Sequence, residues 1–257
     1  MEIVHKLEIT SKKSQVSVEE WRTRTELAAL YRLAAAHGWD DGIATHISAR
    51  VPGPDHHFLI NPFGLFFEEI NASSLVKIDL DGNIVDGSPY KINAAGFTIH
   101  SAVHAAREDA LCVIHLHTVN GTAVSIQEDG LLPLSQGAMA IYADIAYHEY
   151  EGVAIDLSER EHLVADLGDK NLMILRNHGT LTVGETCADA WMRMFALEKA
   201  CETQIKALSG GVPVHQPATG IPARVAEQVL AFGRNIGEAS WPATLRWLDR
   251  RDPSYRD

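Results

Sequence analysis

Two short apolar runs constrain this chain most. ALCVIHLHT (residues 110–118) and LMILRNHG (172–179) are rich in aliphatic and β-branched side chains and are bounded by polar turns, the pattern of buried strands. Such strands need helices over their faces, and the neighbouring segments supply them. From Ser17, VEEWRTRTELAALYRLAAAHGWDDG starts at a capping serine, carries apolar residues at helical spacing and stops at a glycine turn. AAGFTIHSAVHAARED and ETCADAWMRMFALEKACETQIKAL repeat the same period. ATHISARV, HHFLINP and SLVKIDLDGNIVDG are short β-rich runs broken by Pro, Gly and Asp-Gly, the last two reading as strand pairs around a turn. Further strands are expected near Ile145 and from Gly152 to Ile155, and a helix over Glu159 to Leu167. Helices alternating with strands predict a layered α/β fold.

One main domain is expected over residues 17–208, preceded by an extension, 1–16. Beyond it, residues 209–257 form a loop, a helix from about Ala223 and a Trp/Arg-rich tail, WPATLRWLDRRDPSYRD, which packs on its own domain or on a neighbouring subunit. Hydrophobic residues make up 46% of the chain and charged residues 22%, which predicts a packed core. The formal charge of -12, with no run of lysine or arginine, excludes nucleic acid as the expected partner. No uninterrupted apolar run suits a secretory signal or membrane span, so the expected setting is cytoplasmic, with no membrane partner. Cys112, Cys187 and Cys201 are widely spaced and form no C-x-x-C, so they read as reduced, mostly buried thiols.

The chain holds 13 histidines, and three of them stand at the ends of the two buried runs. His115 and His117 project from one side of a strand, about 7 Å apart along the backbone. His178 ends the second run just before Gly179, where a tight turn directs it into the same crevice. An H-x-H pair arises easily by chance in a chain this rich in histidine. A third imidazole in the same setting raises the signal, because three neutral imidazoles with open positions make a catalytic type of metal site.

HSAVHAAREDALCVIHLHTVNGTAVSI, together with LMILRNHGTLTVGETCADAWMRMFALEKACE, resembles the class II aldolase and adducin amino-terminal-domain family over about Leu27 to Leu208. The resemblance implies a three-layer α/β/α fold around a mainly antiparallel sheet. It also implies a divalent ion, zinc first with manganese or iron as alternatives, on His115, His117 and His178. Relatives of the enzyme type are commonly homotetramers with active sites near subunit interfaces, so a homo-oligomer is expected.

The chain departs from the sugar-phosphate aldolases at the substrate grip. Their P-S-S-E motif, which carries the catalytic glutamate, reads Asn93-Ala94-Ala95-Gly96 here. Their G-N-x-S loop reads Thr45-His46-Ile47-Ser48, and their T-P-S-G turn reads Asn61-Pro62-Phe63-Gly64. The hydroxyls that grip a phosphate dianion are gone, and Phe63 fills space the anion would use. AGFTIHSAVHAAR and NASSLV place the chain nearer the adducin-like branch, whose eukaryotic members are cytoskeletal and generally lack the intact triad.

The expected activity is therefore a metal-dependent carbon–carbon lyase, of aldolase or decarboxylase type. It would act on an unphosphorylated small molecule with a carbonyl or carboxylate group, through a metal-stabilised enolate. Loss of the glutamate favours decarboxylation, which needs no base at Gly96. A non-heme iron oxygenase on the same fold and a non-catalytic adducin-like interaction protein are the alternatives. Tyr147, which falls where the aldolases place a tyrosine, and His46 are the candidate acid–base residues, with His148 and Glu149 behind them. Asn61 and Phe63 are the candidate substrate contacts. His100 and His104, spaced H-x3-H on a helix, are expected to be hydrogen-bonded structure and not the metal site.

Overall fold

The computed structural model describes residues 9–153, 156–232 and 236–257. Among them, seven strands form one sheet: β1 (His46–Arg50), β2 (Phe58–Ile60), β3 (Val76–Ile78), β4 (Cys112–Leu116), β5 (Ile145–His148), β6 (Leu172–Leu175) and β7 (Gly179–Gly184). Their order is β3-β2-β1-β4-β7-β6-β5, and every neighbouring pair is antiparallel except β5 with β6. The helices are α1 (Val18–Ala36), α2 (Ala94–Ala106), α3 (Val119–Ile126), α4 (Gln136–Ile141), α5 (Glu159–Leu167), α6 (Cys187–Ser209), α7 (Ile221–Phe232) and α8 (Ile236–Asp249). The fold is α/β, as expected. No described helix is long and apolar enough to cross a membrane.

Strand alternation sorts the core into two layers. Ile47 and Ala49 of β1 with Cys112, Ile114 and Leu116 of β4 pack against Leu30 and Leu33 of α1 and Trp191 and Met194 of α6. Val113 of β4, Met173 of β6 and Leu181 of β7 face the other way, onto Ile99 and Val103 of α2 and Leu163 of α5. The same alternation puts His46, Ser48 and His115 on the α2 side, where polar side chains need partners to be buried. In register, His46 stands opposite His115 and Ser48 opposite Val113.

The helix ends follow the sequence. The Ser17 side chain accepts from the Glu20 N–H at the start of α1, and Asn93 and Thr186 cap α2 and α6 in the same way. The run ending in His178 is not terminal: residues 176–178 turn it back into β7, with Asn177 in the left-handed region at φ 56°. GTLTVG has too few large apolar residues to announce itself as a strand, yet it is buried throughout. Of the strand expected at Gly152 to Ile155, Gly152 and Val153 form a bend, and Ala154 and Ile155 lie outside the described residues.

The tail packs on its own chain. α8 lies against α6 and α1, the Tyr255 ring is buried, and the Ala72 and Ser73 N–H groups donate to the carbonyls of Tyr255 and Asp257. Cys112, Cys187 and Cys201 are free and buried, as their spacing implied.

Candidate metal centre

His115 leaves β4 one residue before its end, His117 follows just beyond it, and His178 comes from the β6–β7 turn. The approach is close because Gly179 has no side chain: a Cβ there would stand 2.5 Å from the Leu116 carbonyl oxygen and 3.1 Å from His117 Cδ2. The three imidazoles offer ligand atoms that all lie within 4.8 Å of one another. Ring centroids are 4.9 Å apart for His115 and His117, 4.8 Å for His115 and His178, and 4.7 Å for His117 and His178.

Hydrogen bonds fix the tautomers of two of them. His115 Nδ1 lies 3.0 Å from the Thr180 carbonyl oxygen, which can only accept, so His115 carries its proton there. His117 Nδ1 lies 3.0 Å from an Asp41 carboxylate oxygen, and it too must donate. Both Nε2 atoms then bear lone pairs, and they face each other at 3.1 Å. Two lone pairs at that distance repel unless a cation shares them, which is the donor chemistry a divalent ion requires. The triad therefore fits one divalent metal ion.

Burial keeps His115 and His178 neutral, the form that binds metal. It holds His115 well below the usual histidine range, with His178 and His46 adding to the effect, and lowers His178 to about 4, helped by His117. Around the site, Thr122 Oγ1 donates to the His178 carbonyl, and the Tyr150 ring stands 6.0 Å from that of His178. The sequence did not point to Asp41 or Tyr150: Asp41 lies 76 positions before its histidine, and Tyr150 sits in an acidic loop that reads as solvated.

Other candidates fall in different places. His46 is buried beside the triad, its ring 5.3 Å from that of His115, and burial lowers its pKa to about 3. Its ring occupies the space opened by Gly96, whose hypothetical Cβ would lie 2.5 Å from His46 Cδ2 and 2.9 Å from Nε2. The two departures from the aldolase motifs thus fit each other: an imidazole stands where the missing glutamate would leave the helix. Tyr147 is not brought to the triad. Its hydroxyl accepts from the Leu131 N–H at 3.1 Å, and Arg176 stacks on its ring. Asn61 is buried against Tyr31, whose hydroxyl takes the Asn61 and Ile47 N–H groups, while Phe63 is 46% exposed on the following loop. His148 is held by Asp166 at 2.8 Å, and Glu149 is exposed. His100 and His104 both hydrogen-bond to Ser48 Oγ, at 2.5 and 2.7 Å.

Comparison with known proteins agrees with this geometry. The Class II Aldolase and Adducin N-terminal domain profile matches residues 25–205, and the chain belongs to that family. A Caulobacter vibrioides protein named "Putative aldolase class 2 protein" is 58% identical over 248 residues, 96% of each chain. Mouse alpha-adducin is 48% identical over 194 residues, which is 74% of this chain but 26% of the adducin. The structure of L-fuculose 1-phosphate aldolase from Glaciozyma antarctica superposes with a TM-score of 0.82 at 27% identity, covering 96% of both chains. In sequence the chain is nearer to alpha-adducin than to that sugar-phosphate enzyme, in keeping with the motif departures.

Proposed function

We propose that this chain is a metal-dependent carbon–carbon lyase, of aldolase or decarboxylase type, acting on a small unphosphorylated carbonyl or carboxylate compound. What carries the reading is the pair of protonless Nε2 atoms of His115 and His117 facing each other at 3.1 Å, with both Nδ1 protons already committed. A structural histidine cluster would place a proton between those nitrogens.

His115, His117 and His178 would hold a divalent ion, which when bound would supply Lewis acidity for a substrate oxygen that gains negative charge. The chain's own groups then handle protons and position. His46, with Nε2 beside Gly96 and its ring 5.3 Å from that of His115, is the acid–base residue in place of the absent glutamate. The Tyr147 hydroxyl, which accepts from the Leu131 N–H and keeps its own proton to give, is held at Leu131, whereas Tyr150 stands beside His178. Ala94, Ala95 and half-exposed Phe63 offer nothing to hold a phosphate dianion. The fuculose-phosphate aldolase supports the reaction class on this fold, and the motif departures support a different substrate.

Protein purified without added metal is expected to hold a stoichiometric transition metal by elemental analysis, and His117→Ala to lose it. Bound at a hundred times its dissociation constant, the ion would stabilise the wild type by about 3 kcal/mol over the chelated protein, and His117→Ala by almost none. Zinc or manganese fits the lyase; iron with oxygen uptake would instead indicate an oxygenase. Similarity to alpha-adducin favours one competing reading, a non-catalytic interaction module, which requires no metal and no change of stability in His117→Ala.

Asp41 supplies a second test. Its carboxylate accepts from His117 Nδ1, so Asp41→Ala removes the group that orients that ligand. Zinc affinity, measured against a competing chelator, is expected to fall about ten- to a hundredfold. An unchanged affinity would show that His117 is oriented by something else.

A further inference from the structure

We propose that Ser48, His100 and His104 are positioning residues that lock His46 in a single tautomer, with its proton on Nδ1 and a bare Nε2 beside Gly96. The use of that nitrogen in proton transfer rests on the lyase reading; the lock itself rests on geometry.

Four side chains from β1 and α2 form one buried row. His46 Nδ1 is 3.1 Å from His100 Nε2, His100 Nδ1 is 2.5 Å from Ser48 Oγ, Ser48 Oγ is 2.7 Å from His104 Nε2, and His104 Nδ1 is 2.9 Å from the Ala110 carbonyl oxygen. All four are almost wholly buried, so water cannot substitute for a lost partner, and the Phe58 ring packs 4.8 Å from that of His104.

The far end sets the order. A carbonyl only accepts, so His104 Nδ1 must donate to Ala110. A neutral His104 then has a lone pair on Nε2, and the Ser48 hydroxyl gives its one proton to it. Ser48 Oγ must next accept, so His100 carries its proton on Nδ1. That leaves His100 Nε2 bare, and His46 donates to it from Nδ1. No proton remains for His46 Nε2.

The opposite order would need a doubly protonated His104. Burial, with Arg50 nearby, holds its pKa at about 3, so that form is excluded near neutral pH. Nor does the row conduct protons: it ends on a carbonyl, which has none to give up and no second site to pass one to. It orients a base, much as a carboxylate orients the imidazole of a hydrolase triad. The helix histidines thus acquire a role through His46 and not as ligands.

Neutron diffraction from crystals of the perdeuterated, zinc-loaded protein reads the lock directly. Deuterium is expected on Nδ1 of His46, His100 and His104, with His46 Nε2 bare. Deuterium on His46 Nε2 with Nδ1 bare would overturn the proposal. Nitrogen NMR of histidine-labelled protein gives a second measurement: in Ser48→Ala the ratio of the Nδ1–H to the Nε2–H form at His46 should fall about tenfold, the worth of one buried hydrogen bond. Ser48→Thr, which keeps the hydroxyl, should retain the wild-type ratio. An unchanged ratio in folded Ser48→Ala also overturns it. Metal content separates the two claims: the expected tautomers in a protein that binds no metal would leave the lock standing and remove the lyase, while a metal-loaded protein with Nε2–H on His46 would do the reverse.

Discussion

Gly96→Glu is expected to destabilise the chain by about 3 kcal/mol and not to rebuild an aldolase. A Cβ at residue 96 would lie 2.5 Å from Cδ2 and 2.8 Å from Cγ of His46, and neither atom can swing aside. Cγ lies at the root of the side chain, and the ring is held at 3.1 Å by His100. His46→Asn alone should cost about 1–3 kcal/mol, because it opens a small cavity and leaves His100 Nε2 short of its donor. The double variant, His46→Asn with Gly96→Glu, restores the pairing that the sugar-phosphate aldolases use. Its loss should be smaller than the two single losses together by about 2 kcal/mol, a coupling of the size seen between residues in contact. Urea unfolding of the four proteins at equal metal loading gives the cycle. Strict additivity would mean that Gly96 and His46 do not share one space and that their joint departure from the aldolase pattern is coincidence.

The triad was legible because a histidine cluster of this kind needs few long-range facts. Strand alternation put His115 and His117 on one side, and a buried run ending in His178-Gly179 supplied the third ring. A local rule also announced the helix start at Ser17. What stayed hidden depended on register. That Ser48 and His46 lie on the α2 side follows from β1 pairing with β4, His46 opposite His115, and nothing in either segment states that pairing. Asp41 reaches His117 only after α1 has been laid across the sheet, and Glu198 lies behind the site only once α6 has been. α3 and α4 have eight and six residues, too short for a helical period to stand out. The resemblance puts Tyr147 at the aldolases' tyrosine position, while β5 directs its hydroxyl to Leu131 and the tyrosine beside the triad comes three residues later, a difference that only the fold reveals.

Folding stability should fall steeply as pH drops from about 6.5 towards 4.5. Burial holds His46 and His104 at about 3 and His100 well below its ordinary value, so the folded chain binds no proton at these sites in that window. The unfolded chain takes one at each once pH passes below the ordinary histidine value near 6.5. More protons on the unfolded side mean that stability is complete above about 6.5 and is lost as pH falls. Glu198 opposes this. Buried behind Thr180, it is raised to about 7 in the folded chain, so its contribution is complete below the ordinary carboxylate value and disappears as pH rises through 7. His115, also held well below the ordinary value, and His178, at about 4, add to these once the metal is chelated, so five histidines against one glutamate leave about four net protons, or about 5 kcal/mol per pH unit, enough to consume a typical domain's stability by about pH 5. Urea unfolding of the chelated protein at pH 7, 6 and 5 measures the slope. Glu198→Gln removes the opposing group and should steepen it by about 1.4 kcal/mol per pH unit. Stability that stays level from pH 7 to 5 would mean that the row from His46 to His104 carries charge in the folded state, which would remove both the acid sensitivity and the single proton order on which it depends.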